Sequence, residues 1–297
     1  MPIDRKLSAL ALAGLVAASS PATALGAGGI VIGAYDPDYA FYESPAIGLD
    51  HVFVQWQDWD RDLLAWAQQN AAEKGRQFLV TVEPWTRAPD RIGGGETLLP
   101  DIVGGAFDAE IAAICGTLGA PGTPVLIRFA HEMEMGRNIF PWSNRAPSEY
   151  VAAYRHFVEQ CARLAPEAAF VWSPAGHEGA ALYYPGDDYV DYASLSVFAL
   201  EGWDRAHRGK PLSVRRRIAE QAHWIEAIHK PLIIAEFGVA GGKRQEHDWL
   251  EEVNEMAAGI GVLDRLVAIV YFNAPETFFW PEPHGRPDWR VAPDVFY

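Results

Sequence analysis

Eight short runs of β-branched and aromatic residues recur along the chain, and that recurrence restricts the fold more than any other feature. They are GIVIGAY (29–35), DHVFVQW (50–56), QFLVTVEP (77–84), PVLIRFAHE (124–132), AAFVWSP (168–174), YASLSVF (192–198), PLIIAEFG (231–238) and LVAIVYFN (266–273). Most are apolar almost throughout instead of alternating, as parallel strands covered on both faces are. Helix-like stretches lie between them. Residues 61–75 end on Gly75, 148–164 open on Ser148 after a proline, and 213–228 and 244–259 carry apolar residues at helical spacing. Eight strands separated mainly by helices is the count of a closed (β/α)8 barrel, an α/β TIM barrel forming a single domain. An open doubly wound sheet is the alternative. Against it, the first strand-to-helix turn lacks a G-x-G-x-x-G fingerprint, and no G-x-x-x-x-G-K-[ST] occurs anywhere.

Composition narrows the partner. A net charge of −15 over 297 residues argues against nucleic acid or an anionic membrane, both of which reward Lys and Arg. The 11 tryptophans fit an uncharged ligand with flat apolar faces. Residues 1–24 read as a secretory signal peptide: Asp4-Arg5-Lys6, an apolar stretch over 7–18 too short to span a bilayer, then Ala22-Thr23-Ala24. Cleavage falls after Ala24 or near Ala27, leaving a barrel domain over 28–297 that is secreted or periplasmic and carries no membrane-spanning stretch. Cys115 and Cys161 each sit in a helical-looking segment; they can pair in an oxidising compartment, but two small buried thiols are expected. Oligomeric state has no signal in the sequence.

In such barrels chemistry sits at the C-terminal ends of the strands. Run three closes on Glu83-Pro84-Trp85, run four on His131-Glu132, run seven on Glu236-Phe237-Gly238. Glu132 and Glu236 each follow buried-type residues, where desolvation and a second carboxylate shift a pKa, and two carboxyls pushed apart make an acid and a nucleophile. A separation of about 5–5.5 Å suits retaining glycoside hydrolysis and about 6.5–9.5 Å inversion. A zinc helix is not indicated, because H-E-x-x-H needs a second histidine where Met135 stands. Nor is there a G-x-S-x-G elbow. No metal and no cofactor is expected.

RFAHEMEMGRNIFPW (128–142), FVWSPAG (170–176), YYPGDDYVDYASLSVF (183–198), IAEFG (234–238) and PDWRV (287–291) occur in the order seen in glycoside hydrolase family 26, which the chain resembles over nearly all of its mature length. That family comprises β-mannanases and related β-glucanases on retaining (β/α)8 barrels. The resemblance implies Glu132 as general acid/base, Glu236 as nucleophile, His131 holding the sugar at the cleavage site and Trp142 lining the cleft. Two departures stand out. Glu134 replaces a frequent Asn, and raises the pKa of Glu132 if it points inward but not if it points to solvent. Phe198 stands where many members have a tyrosine whose hydroxyl contacts the nucleophile, which predicts a higher pKa for Glu236.

The expectation is therefore an exported retaining endo-glycosidase that acts on β-mannan or mixed-linkage β-glucan. Trp142, Trp172, Trp85 and Trp280 are the candidates for stacking sugar rings, and Glu83 is a further cleft residue. The alternatives are a non-catalytic polysaccharide-binding protein on the same scaffold and an enzyme that processes the cell's own exopolysaccharide.

Overall fold

A computed structural model describes Leu25 and residues 29–297, apart from 121, 137 and 138; the signal-like segment 1–24 lies outside the described residues. Eight parallel strands close into a barrel in sequence order, β8 pairing with β1. They are β1 (Val31–Tyr35), β2 (Leu49–Gln55), β3 (Gln77–Glu83), β4 (Leu126–Phe129), β5 (Ala169–Trp172), β6 (Tyr192–Leu200), β7 (Leu232–Ala240) and β8 (Leu266–Phe272). The helices are α1 (Arg61–Glu73), α2 (Gly95–Val103), α3 (Asp108–Leu118), α4 (Pro147–Ala162), α5 (Glu201–Arg208), α6 (Val214–Ala222) and α7 (Lys243–Ala257). β1 and β2 are joined by turns over 36–48, so the helical ring is interrupted there. No helix among the described residues is long and apolar enough to cross a membrane.

Local signals set the helix ends. Asp60 accepts from the Leu63 N–H at the start of α1 (2.9 Å), and Gly75 (φ +69°) closes it while the Arg76 N–H bonds the Ala71 carbonyl (2.9 Å). Pro147 opens α4, where its missing N–H has no intrahelical partner to lose. Cys115 on α3 and Cys161 on α4 form a disulfide, S–S 2.06 Å. This corrects the expectation of two free thiols: the two helices pack side by side and bring the cysteines' α-carbons to 5.2 Å, inside bridging range.

Strand parity sorts the barrel's side chains. Leu49, Leu79, Leu126, Ala169, Val171, Tyr192, Ile233 and Ala268 form one buried cluster inside the barrel. Their neighbours Phe78, Val80, Val82, Ile127 and Phe170 belong to the second cluster, between strands and helices. Two residues above the inner apolar layer the same parity brings in polar side chains: His51, Thr81, Arg128, Ser173 and Ser194, all buried. The residues that close the strands stand on this polar layer.

Candidate active site

Arg128 is the centre of that layer. It is fully buried on β4 and donates from Nε to Thr81 Oγ1 (2.7 Å), from one terminal nitrogen to Ser173 Oγ (3.3 Å), and from the other to Glu236 Oε1 (2.5 Å). A charge-assisted bond of that length in a water-poor site holds Glu236 in one orientation. With its oxygen accepting from Arg128, the Thr81 hydroxyl is free to donate to His51 Nε2 at 2.7 Å. Burial first, and the Arg128 charge second, hold His51 well below the usual imidazole range.

A break in strand parity brings Glu236 inside. Ile234 and Phe237 both face the helices, with Ala235 turned into the barrel between them. The pairing of β7 with β6 and β8 shifts register at this point, Ser196 lying opposite Glu236. The extra residue of such a bulge re-aims a side chain, here the carboxylate.

On β4 the chain turns sharply just past Phe129. Ala130 (φ +47°) and Glu132 (φ +54°) both adopt the left-handed region, at a cost of about 1–2 kcal/mol each. Bonds from Ala130 N–H to Val82 O (3.2 Å) and Glu132 N–H to Ser173 O (2.8 Å) hold them there. The Trp142 Nε1–H adds a 2.7 Å bond to the His131 carbonyl. The turn brings Glu132 over the barrel mouth: one atom each of His131, Glu132 and Glu236 lies within 4.8 Å of the others. A cation bound among them would compete with the buried guanidinium already on Glu236.

The electrostatics separate the two carboxyls. Burial, then the charge of Glu236, push Glu132 up to about 8, while the neighbouring Ser196 hydroxyl opposes this. Burial also raises Glu236, but the charge and hydrogen bond of Arg128 oppose it. Burial carries Glu83 up to about 7 against the bond it accepts from Trp85 Nε1 (3.0 Å). His131 is held well below its usual range by burial and then by Arg128, so its Nε2, 3.7 Å from Glu236, carries no proton-borne charge at neutral pH. Between the ranges of Glu236 and Glu132 the pair carries a single proton.

A cleft of about 930 Å³ opens above these groups, and its lining includes Glu83, Trp85, His131, Glu132, Glu236 and Trp280. Six of the eight candidate residues are thus brought together. The other two are corrected. Trp172 is fully buried and faces the helices, because the inward residues of β5 are Ala169 and Val171; its ring packs edge-on against Tyr184. Trp142 is also fully buried, stacked behind Phe140 (4.6 Å) and against Trp85 (5.2 Å), so it supports the cleft wall and offers no open face. Glu134 takes neither expected course cleanly: its Oε1 accepts from the N–H groups of Gly176 (2.8 Å) and His177 (3.2 Å), tying down the loop after β5, while its charge adds a small upward push on Glu132. Phe198 lines the cleft and packs on Trp289 (5.0 Å), with Arg128 as the donor to Glu236.

Sequence reading missed Arg128, although a lone cation inside an apolar run is itself a signal, since a buried charge requires a partner. Trp203, also in the cleft, was missed because it rides on α5, a short and mostly charged segment in which no apolar run marks a helix.

Residues 96–261 match the model of glycosyl hydrolase family 26. Endoglucanase H of Acetivibrio thermocellus is 28% identical over 262 residues, covering 81% of this chain and 25% of its own. The β-1,3-xylanase TXYA of a Vibrio species is 29% identical over 145 residues, covering 46% of this chain and 28% of its own. The chain spans about a quarter of the length of these curated relatives. Among solved structures, that of a modular endo-β-1,4-mannanase from Cellulomonas fimi is similar in fold, with a TM-score of 0.60 at 18% identity over 82% of this chain and 65% of that one.

Proposed function

Because the chain belongs to glycosyl hydrolase family 26, we propose that it is an exported endo-glycosidase that cleaves a β-linked hexose polysaccharide, β-mannan or mixed-linkage β-glucan, with retention of configuration. One observation carries the mechanism: one oxygen each of Glu132 and Glu236 lies within 4.8 Å of the other, an approach that favours direct attack by Glu236 over the wider gap of an inverting pair. Glu236, whose charged form Arg128 favours, attacks the anomeric carbon and forms a glycosyl ester. Glu132, held protonated by burial, gives its proton to the departing oxygen. As a carboxylate it then takes a proton from water, whose oxygen attacks the anomeric carbon and releases Glu236. His131, neutral at the cleft floor, is placed to hydrogen-bond a sugar hydroxyl, and Trp85 and Trp280 offer apolar surface to the rings. The Cys115–Cys161 bridge and the signal-like residues 1–24 support export to an oxidising compartment.

New reducing ends are measured on glucomannan, barley β-glucan and β-1,3-xylan for the wild type, Glu132→Gln and Glu236→Ala. The expected result is activity on one of the first two that both substitutions abolish, with the first-formed sugar in the β-configuration by NMR. Activity undiminished in Glu236→Ala, or an α-configured first product, overturns the mechanism. Retention on a polymer without cleavage points to a binding protein instead.

A further inference from the structure

Next to the cleft lies a second cavity of about 700 Å³, in the gap where the helical ring is interrupted between β1 and β2. Its walls come from the 36–48 turns and from α1, and they hold three large side chains exposed to an unusual degree: Tyr39 at 56%, Leu63 at 57% and Trp66 at 45%. Leu63 and Trp66 lie three residues apart on one side of α1, and the Tyr39 ring meets Trp66 edge-on at 6.5 Å. Contiguous apolar surface of this kind, rimmed by polar groups, marks an interaction site more often than chance exposure.

The backbone argues the same way. Tyr39 has φ +57°, a conformation that glycine adopts without strain and a bulky residue does not. The loop that strains it is tied down. Asp36 accepts from the Phe41 N–H (2.6 Å) and from Asn273 (2.9 Å), Tyr42 donates to Asn70 on α1 (2.9 Å), and Lys74 lies 3.4 Å over the Tyr42 ring. A rigid turn that holds a strained, exposed tyrosine against an exposed tryptophan presents two ring faces set at 68° to each other.

We propose that this cavity is an accessory binding site for the same uncharged polysaccharide, an inference that rests on the glycosidase reading for the identity of the ligand. The occupant is indicated by continuity: Tyr35 and Phe53 line both the cavity and the catalytic cleft, so the two adjoin and a sugar chain leaving the cleft past those residues meets a cavity lined by Trp59 and Tyr39. Its wall chemistry suits such a chain, with aromatic faces for the rings and the carboxylates of Asp58 and Asp60 to accept from hydroxyls, and with little to attract an anion.

The test uses Tyr39→Gly and Trp66→Ala together. Glycine relieves the strain at 39 and alanine favours the helix at 66, so the variant folds, and thermal unfolding checks this. Binding is read by affinity electrophoresis in glucomannan and in barley β-glucan, comparing Glu132→Gln with and without the pair so that the polymer stays intact. Catalysis is read separately, in the Glu132 background, as hydrolysis of hexasaccharides prepared from each polymer and of the polymers themselves. Two lost ring contacts are expected to weaken retention by roughly fivefold or more. The rate on dilute polymer falls with it, while the hexasaccharide rate stays within about twofold. Equal retention with and without the pair overturns the site, as does a Glu132→Gln protein that neither polymer retains. A monomer–dimer shift on sedimentation, with retention unchanged, also overturns it and makes this face a contact between copies. Hydrolysis of nothing, with retention that the pair abolishes, sinks the catalytic reading and leaves the site standing.

Discussion

Arg128→Met leaves Glu236 buried with no counter-ion, and the loss it causes separates into two parts with different pH behaviour. Methionine fills a similar volume without charge or donors. The bonds to Thr81 and Ser173 disappear at every pH, at about 1 kcal/mol each. The bond to Glu236 is different, because breaking a buried pair by removing one partner costs about 3–5 kcal/mol while the other stays charged. Losing the guanidinium raises the Glu236 pKa further above its unfolded value. Across that window the folded variant holds a proton that the unfolded chain has released, so its stability falls as pH rises. His51 and His131 act in the same sense, since both are depressed by Arg128 and accept protons more readily at low pH without it. Urea unfolding at pH 5 and pH 8 is the assay. The variant's deficit is expected to be about 2–3 kcal/mol at pH 5 and to grow by about 3 kcal/mol or more at pH 8. In Arg128→Met/Glu236→Gln no carboxylate is stranded, and only the smaller pH dependence contributed by His51 and His131 remains. A single variant whose deficit is equal at both pH values, or a double variant as pH-dependent as the single, would refute the assignment of Arg128 as the counter-ion.

Three further outcomes follow from the same geometry. The rate on natural polymer needs Glu132 protonated, so kcat/KM is expected to fall as pH rises through about 8; in Glu132→Gln assayed with a dinitrophenyl glycoside, whose leaving group needs no acid, that limb disappears. Phe198→Tyr offers the cleft a hydroxyl near Glu236; if it donates to the carboxylate, the acid limb of kcat/KM moves down by about one pH unit, and an unmoved limb shows that the hydroxyl points elsewhere. Cys115→Ala/Cys161→Ala removes a bridge across 46 residues, expected to cost about 4 kcal/mol by loop-closure entropy, and a change under 1 kcal/mol in urea unfolding would show that α3 and α4 are held without it.

The barrel was legible because its eight short runs are nearly continuous in apolar, β-branched and aromatic residues, a local signal that needs no tertiary contact to read. Strand ends came within a few residues: the expected 77–84 is Gln77–Glu83, and the expected 266–273 is Leu266–Phe272. α2, α3 and α5 were not read, since Pro100 and the preceding glycines, Gly116 and Gly202 each interrupt the local pattern, while packing against neighbouring helices stabilises the segments anyway. Glu132 and Glu236 were legible as a candidate pair by position at strand ends. Their orientation was not, because it depends on a bulge at Glu236 and a left-handed turn at Glu132, neither of which has a sequence signature here. Trp172 shows the opposite case. Its parity with outward-facing Phe170 was available in the sequence and excludes it from the cleft, whereas the aromatic character that made it a candidate is equally at home in the core.

What gives the site its asymmetry is the ratio of cations to carboxyls. Burial raises both Glu132 and Glu236, and Arg128 opposes the rise at Glu236 by charge and by hydrogen bond but at Glu132 by charge alone. One guanidinium, bonded to Glu236 and not to Glu132, leaves one anion and one proton between them, and the two histidines stay neutral because burial, and after it the same guanidinium, depresses them. In the proposed double displacement, Glu236 loses its charge on forming the ester as Glu132 acquires one on giving up its proton. The negative charge therefore moves within a 4.8 Å cluster while Arg128 stays in place, and the net charge buried at the barrel mouth is the same before and after the step. The first step thus moves a buried negative charge from one carboxyl to the other and creates no second one.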